Sequence, residues 1–194
     1  MICGTACSAM ADGDVWTARV PMQDTYVNHY QRDTAFGADN SIIVGNGREG
    51  CMEFDVSDLE NVTAARLKFY VTQCAVTAGV KQPLYFCMMH DVAWSEMALT
   101  WNSLLDEFRV APSPILATND VTLAGYIEDA SGMANTWLSV DLTAAVKYAA
   151  VNGGLLSLHI YTPWDNTSGD STPLAFYSNN AADVSLHPVL EFMG

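Results

Sequence analysis

The side chains best suited to chemistry in this chain are aromatic and short polar residues, and they cluster in two segments. The first cluster consists of Trp94, Glu96, Thr100, Trp101 and Asn102. Flat aromatic rings can pack on the C–H faces of sugar rings, while amides and carboxylates bond sugar hydroxyls. The alternative is structural, with both tryptophans packed at the edge of a domain and Glu96 or Asn102 holding a loop. Because the tryptophans flank the apolar stretch 97–99, we favour the structural interpretation.

The second cluster lies in the polar segment TPWDNTSGDST. Trp164 stands in this segment, and a large aromatic residue on a polar loop is a candidate for ligand contact. Tyr161, Asp165 and Asn166 could line the same site, so we predict that any bound glycan contacts this loop. In the alternative, Trp164 folds back over the edge of a sheet. Asp165, Asn166 and Asp170 could instead hold calcium, which takes carboxylate and amide oxygens, although a solvated turn is the simpler structure.

The sequence gives little support to catalysis. Its four histidines, at positions 29, 90, 159 and 187, show no HxxxH or HxH spacing, which disfavours a zinc site. Neither a GxSxG motif nor a P-loop occurs. We therefore predict a protein that is not an enzyme and has no cofactor other than the calcium considered above.

Charge and composition exclude several classes of partner. The chain has 194 residues, of which 22 are acidic and 8 basic, and its formal charge is −14. Such a field repels nucleic acid and anionic membranes, and no apolar run approaches the ~20 residues that span a bilayer. With so few basic residues the sequence shows no obvious cationic groove for an anionic polysaccharide. Five cysteines without a CxxC pair indicate reduced thiols rather than a complete disulfide framework.

The elements that would position these residues are strands. Segment 64–72 alternates between an apolar set, Ala65, Leu67, Phe69 and Val71, and a polar set, Arg66, Lys68 and Tyr70. This period of two is typical of a half-buried strand. Further strands are predicted at 24–30, 41–45, 51–56, 82–89, 137–142, 155–161, 174–178 and 189–192. In 155–161, we expect Ser157, His159 and Tyr161 to face outward.

These strands predict an all-β fold, a two-sheet antiparallel β-sandwich of jelly-roll type with one short helix. The helix is expected at 144–150, capped by Thr143 and ended by the glycines that follow Asn152. Segment 103–132 is expected to be a long loop. The predicted core residues are Phe54, Leu67, Phe69, Leu156, Leu158 and Leu190. Residues 21–194 should form one domain, and residues 1–20, which do not alternate, an N-terminal arm.

Four segments together resemble a known family. They are GREGCMEFDVSDLENVTAARLKFYV (47–71), VAWSEMALTWNS (92–103), TWLSVDLTAAVKYAAVNGGLLSLHI (136–160) and LAFYSNNAADVSLHPVLEF (174–192). In order and spacing they resemble the DNRLRE-type domain, a β-sandwich related to carbohydrate-binding modules of secreted polysaccharide-degrading proteins. Its most specific part here is Trp94-Ser95-Glu96 with Thr100-Trp101-Asn102. An acidic residue of the family pattern is replaced by Asn179 and Asn180.

The resemblance implies two alternative functions. Similar domains occur in phage structural proteins, which implies a non-catalytic display protein on a virion surface, such as a decoration or fibre component. Its partners would be copies of itself or a capsid-like scaffold, with glycan binding as an additional property. The alternative is an extracellular carbohydrate-binding module of a polysaccharide-acting protein. A start at Met1 without a recognisable signal peptide, together with the thiols, leads us to expect the display protein.

Overall fold

The computed structural model describes residues 15–74, 81–90, 93–108, 121–162 and 173–194. Within these residues, the strands in chain order are β1 (Thr17–Arg19), β2 (Gln23–Asn28), β3 (Ser41–Val44), β4 (Arg48–Asp55), β5 (Ala64–Cys74), β6 (Leu84–Met89), β7 (Val121–Ile127), β8 (Thr136–Asp141), β9 (Leu155–Tyr161), β10 (Leu174–Tyr177) and β11 (Val189–Met193). The helices are α1 (Trp101–Phe108) and α2 (Thr143–Val151), and a 3-10 turn spans Val184–Leu186.

The strands form two antiparallel sheets, which confirms the predicted β-sandwich. Sheet A has six strands and is centred on β5, which pairs with β8 along one edge. Along its other edge β5 pairs first with β11 and then with β10, and these pair in turn with β1 and β3. Sheet B has five strands in the order β2-β4-β9-β6-β7.

The inner faces of the two sheets form the main core. The six predicted core residues are all 0% exposed: Phe54, Leu67, Phe69, Leu156, Leu158 and Leu190. Phe69 lies at the centre of an aromatic cluster, with ring centroids 4.9 Å from Phe176 and 5.8 Å from Phe86. Burial of one such side chain stabilises the fold by about 1.5–3 kcal/mol. Period-two alternation on strands of both sheets places these six residues in the core.

A second apolar cluster covers part of the outer face of sheet B. Its buried members come from β2, β4 and β6 and from the segment around α1: Val27, Cys51, Met89, Leu99, Trp101 and Leu104. Ser157 and Tyr161 were expected to face outward, and they are nevertheless only 3% exposed. They do point away from the main core, but Trp94 lies over Ser157 and donates a hydrogen bond to its hydroxyl at 2.7 Å.

The stretch 103–132, expected to be a loop, contains part of α1 and all of β7. The start of α1 is held by a reciprocal cap, in which Thr100 N donates to Ser103 Oγ at 2.8 Å and Ser103 N donates to Thr100 Oγ1 at 3.2 Å. This pattern resembles a capping box. Thr100 occupies the first position of that motif, but Ser103 stands where Glu or Gln is usual.

Helix α2 is found where it was predicted, but Thr143 does not cap it. The N-cap residue is Leu142, with no side-chain cap. The Thr143 hydroxyl instead accepts a hydrogen bond from Ala65 N at 2.9 Å and donates one to Ala65 O at 3.2 Å. This side chain therefore attaches the helix to β5.

The predicted arm 1–20 is not wholly outside the sandwich. Thr17–Arg19 forms β1 and pairs with β11, so these residues belong to sheet A. The exposed edge of β11 offers unpaired backbone groups that a short strand can satisfy even without an alternating sequence. Residues 1–14 lie outside the described residues, and an arm there stays a prediction.

A glycine-rich segment forms the turn between β3 and β4. GNGREG at 45–50 has the GxGxxG spacing of dinucleotide-binding loops, but such a loop must open a helix. Here Asn46 and Gly47 both have positive φ and form a tight turn, with Gly45 N donating to Arg48 O at 2.8 Å. The turn passes from β3 in sheet A to β4 in sheet B, so its glycines serve the fold.

Candidate functional site

The outer face of sheet A presents partly exposed side chains along its central strand. On β5, buried residues alternate with the partly exposed Arg66, Lys68 and Tyr70. On the neighbouring β8, Trp137 and Ser139 are exposed. By contrast, the α1 segment and Trp94 cover part of sheet B. The outer face of sheet A therefore presents large side chains for contact along its central strands.

Three aromatic rings form a row across three adjacent strands of this face. Tyr70 pairs with Trp137 on β8, and their ring centroids lie 5.6 Å apart with planes nearly perpendicular. On the other side, Tyr177 of β10 lies 6.1 Å from Tyr70 with its ring tilted by only 20°. At the usual strand spacing the row extends over roughly 10 Å. We call Trp137, Tyr70 and Tyr177 the aromatic row.

A charged group lies beside the aromatic row. Lys68 Nζ is 3.0 Å from Glu191 Oε1, and Arg66 Nη2 is 2.6 Å from Glu191 Oε2. Lys68 Nζ also lies 5.3 Å from the centroid of the Trp137 ring, and the Arg66 guanidinium lies 4.3 Å from that of Trp16. Burial raises the pKa of Glu191, but the hydrogen bonds and charges of Lys68 and Arg66 together outweigh it and hold this pKa below its usual value.

Trp94 and Glu96, singled out in the sequence, lie beside sheet B and away from the aromatic row. Trp94 is half-buried, and its indole N–H donates to Ser157 Oγ at 2.7 Å. Ser157 Oγ in turn donates to Glu53 Oε2 at 2.9 Å. Glu96 Oε2 accepts a hydrogen bond from the backbone N–H of Asp24 at 3.0 Å. Both residues thus join the segment before α1 to the strands beneath it.

Thr100, Trp101 and Asn102 also make contacts within the fold. Trp101 is 4% exposed, and its ring lies 5.1 Å from that of His29 in an edge contact. Asn102 Nδ2 donates to Asp33 Oδ1 at 2.7 Å, and Thr100 belongs to the α1 cap. The structural role assigned to these residues from the sequence stays a prediction that substitutions can test.

Of the residues predicted to bind a glycan, only Tyr161 is within the described residues. It is 3% exposed and stacks on Tyr85 and His159, with centroids 5.3 and 5.4 Å away. Burial is the main cause that raises its pKa. The other residues of that site lie outside the described residues, and so does the calcium set: Trp164, Asp165, Asn166 and Asp170. Both sites stay predictions.

A family model described as carbohydrate-binding module family 96 matches residues 15–192, nearly the whole described chain. The chain belongs to this family. No curated protein matches it.

Membership of family 96 supports the relation to carbohydrate-binding modules that the resemblance implied. The match does not support an assignment to the DNRLRE-type domain specifically, and it does not support a structural role in a virion. In the described part of the family 96 chain, no helix is long and apolar enough to cross a membrane. In the same part, no group of three or more His, Cys, Asp or Glu side chains is placed to hold a metal ion.

No motif in the sequence of this family 96 chain points to the aromatic row. The polar set of the 64–72 strand contained Lys68 and Tyr70, but no sequence signal linked them to Trp137 or Tyr177. These residues are distant in the chain and become neighbours only through the pairing of β5 with β8 and β10. The signal that could have found the row is an aromatic residue on the exposed side of each of these strands. Exposed rings on neighbouring strands are candidates for one binding surface.

Proposed function

We propose that this family 96 module binds a polysaccharide on the outer face of sheet A and catalyses no reaction. The observation that carries the proposal is the row Trp137, Tyr70 and Tyr177, which sets three rings side by side on rigid strands. Ligand sites combine aromatic surface with a few fixed polar groups, and Lys68, Arg66 and Glu191 supply polar groups here. Trp137 is 36% exposed, so its ring is accessible for stacking on a sugar.

The charges on this face favour a neutral polysaccharide over an anionic one. Both basic side chains beside the row already bond to Glu191, and Asp141 lies opposite Arg66 on β8. The chain as a whole carries a formal charge of −14, which opposes the approach of a polyanion. Sugar hydroxyls, in contrast, can both donate to Glu191 and accept from Lys68 or Arg66.

Family membership leads us to prefer the extracellular module over the display protein expected from the sequence. A module that binds polysaccharide for a secreted polysaccharide-acting protein needs only a binding face, and the aromatic row on sheet A is our candidate for it. Virion display would require an interface with other copies or with a scaffold, and no observation on the described residues favours that partner. Fold alone does not decide between the two, so binding is the property to measure.

The test compares Trp137→Ala and Tyr70→Ala with the control Tyr148→Ala, which removes a ring that is 47% exposed on α2. Binding is measured by affinity electrophoresis and calorimetry against a panel of neutral and uronic-acid polysaccharides, with a thermal melt of each variant. We expect the two row variants to lose about tenfold or more in affinity with little change in Tm. The control should bind as the wild type does.

Two results would contradict the proposal. One is a wild type that binds no polysaccharide of the panel. The other is a Trp137→Ala variant that keeps wild-type affinity for a polysaccharide that the wild type does bind. A fall in Tm of the row variants without a change in affinity would give their rings a purely structural role.

A further inference from the structure

Three segments of the chain meet beside sheet B and bring polar oxygens together. Asp24 lies near the start of β2, Glu96 lies before α1, and Asn179 follows β10. The backbone N–H of Asp24 donates to Glu96 Oε2 at 3.0 Å, and that of Asn179 donates to Asp24 Oδ2 at 2.8 Å. Gly37 packs against the same region, since a Cβ at this position would clash with the backbone carbonyl of Glu96.

Two side-chain oxygens in this region have no hydrogen-bond partner in the part of the chain that the structure describes. Asp24 is 1% exposed, and its Oδ1 atom is buried with no hydrogen-bond partner among the described residues. The same holds for the side-chain oxygen of Asn179, Oδ1. An unpaired buried acceptor costs about 1–3 kcal/mol, and more when it is charged. Native proteins seldom leave such an atom unsatisfied. We therefore expect both oxygens to bind a partner, either a hydrogen-bond donor or a cation.

The charges in the region indicate what that partner is. Among the described residues, no lysine or arginine hydrogen-bonds to Asp24, Glu96 or Asn179. Two carboxylates that share a buried region without a basic residue attract either a proton or a metal cation.

We propose that Asp24, Glu96 and Asn179 form a calcium-binding site. The donors are two carboxylates and one amide oxygen, all hard ligands that Ca²⁺ prefers, and its six to eight positions would be completed by backbone carbonyls and water. The site has only two acidic side chains, so we expect a dissociation constant of about 10⁻⁴ M, as in extracellular modules. The ion joins β2, the Trp94–Glu96 segment and the turn after β10, two residues beyond Tyr177.

This site differs from the calcium set predicted in the sequence, Asp165, Asn166 and Asp170, and a matched pair of variants separates the two. Metal-free protein is titrated with CaCl₂ by calorimetry and by thermal melting, for the wild type, Asp24→Asn, Glu96→Gln and the double variant Asp165→Asn/Asp170→Asn. We expect the wild type and the double variant to bind one Ca²⁺ and to gain stability with its concentration. Asp24→Asn and Glu96→Gln should lose at least tenfold in Ca²⁺ affinity.

The melt in chelator separates ligation from a structural role. Asn at position 24 keeps the shape of Asp and removes the buried charge, so at pH 8 without calcium the variant should be at least as stable as the wild type. It should then fail to respond when calcium is added. A residue needed only for packing would lower Tm equally with and without the ion, and this result would overturn the proposal. If Asp24→Asn does not fold, Glu96→Gln, at a half-buried position, carries the same test.

Two further outcomes would also overturn it. One is a wild type that shows no saturable binding of Ca²⁺ up to millimolar concentrations. The other is loss of binding in the Asp165→Asn/Asp170→Asn variant while Asp24→Asn still binds. No glycan is present in these measurements, so their failure would leave the proposed polysaccharide site on sheet A standing.

Discussion

Lys68 and Glu191 form an ion pair on the outer face of sheet A, with 3.0 Å between Nζ and Oε1. They stand on the adjacent strands β5 and β11, and Arg66 approaches the second oxygen of the same carboxylate. Glu191 therefore holds both Lys68 and Arg66, and it sets the charge of the surface beside the aromatic row.

Substitution of Glu191 should change the charge preference of this face. In Glu191→Gln, Lys68 and Arg66 lose their carboxylate partner and become available to an anionic sugar. We expect affinity for a polyuronate to rise severalfold at low salt and the gain to shrink as salt screens the charges. Affinity for a neutral chain should change little. Calorimetry at two salt concentrations measures both, and an unchanged polyuronate affinity would show that these cations do not face the ligand.

The same carboxylate should contribute to the acid sensitivity of the fold. The pKa of Glu191 is lowered in the folded state, so its contribution to stability is present above the unfolded pKa and is lost as pH falls through the folded one. Glu191→Gln should therefore lose less stability than the wild type between pH 7 and pH 3. Urea unfolding at both pH values gives the comparison. Equal losses would mean that the ion pairs with Lys68 and Arg66 contribute nothing measurable.

The loop that contains Trp164 competes with the aromatic row as the place of sugar contact. If sheet A is the binding face, Trp164→Ala should keep its affinity within about threefold, whereas Trp137→Ala loses about tenfold or more. Polysaccharide calorimetry on the two variants in parallel decides the matter. The reverse order of effects would favour the loop that the sequence predicted.

Trp101 and Ser157 should act on stability and not on binding. Trp101→Ala removes a buried ring and should cost about 3–5 kcal/mol. Ser157→Ala removes the hydroxyl between Trp94 and Glu53, leaves buried polar atoms unpaired, and should cost about 1–3 kcal/mol. Ser139→Ala, at an exposed position on β8, is the control and should change the free energy of unfolding by less than about 0.5 kcal/mol. Chemical denaturation measures all three; a Ser157→Ala variant as stable as the control would show that water replaces the hydroxyl.

Much of the fold could be predicted because strand structure is encoded locally. Alternation in 64–72 and 155–161 identified both strands and the buried residues Leu67, Phe69, Leu156 and Leu158, since side chains on a strand point to opposite faces in turn. Helix α2 was predicted from good helix formers followed by glycines. Helix α1 was missed because its cap uses Ser103 rather than an acidic or amide side chain, and β7 because its alternation is weak.

The sequence by itself determined the fold class, the main core and the excess of negative charge, because these depend on residue type and short-range periodicity. Only the tertiary structure decided which side chains meet. Register between strands brings Trp137, Tyr70 and Tyr177 into one row. On the face of sheet B that alternation marks as outward, Trp94 covers Ser157, and Tyr161 packs between Tyr85 and His159. The meeting of Asp24, Glu96 and Asn179 depends on three distant segments. The pairing between strands and the packing of the α1 segment on sheet B depend on residues far apart in the chain. A pattern that repeats every two residues carries no information about such contacts.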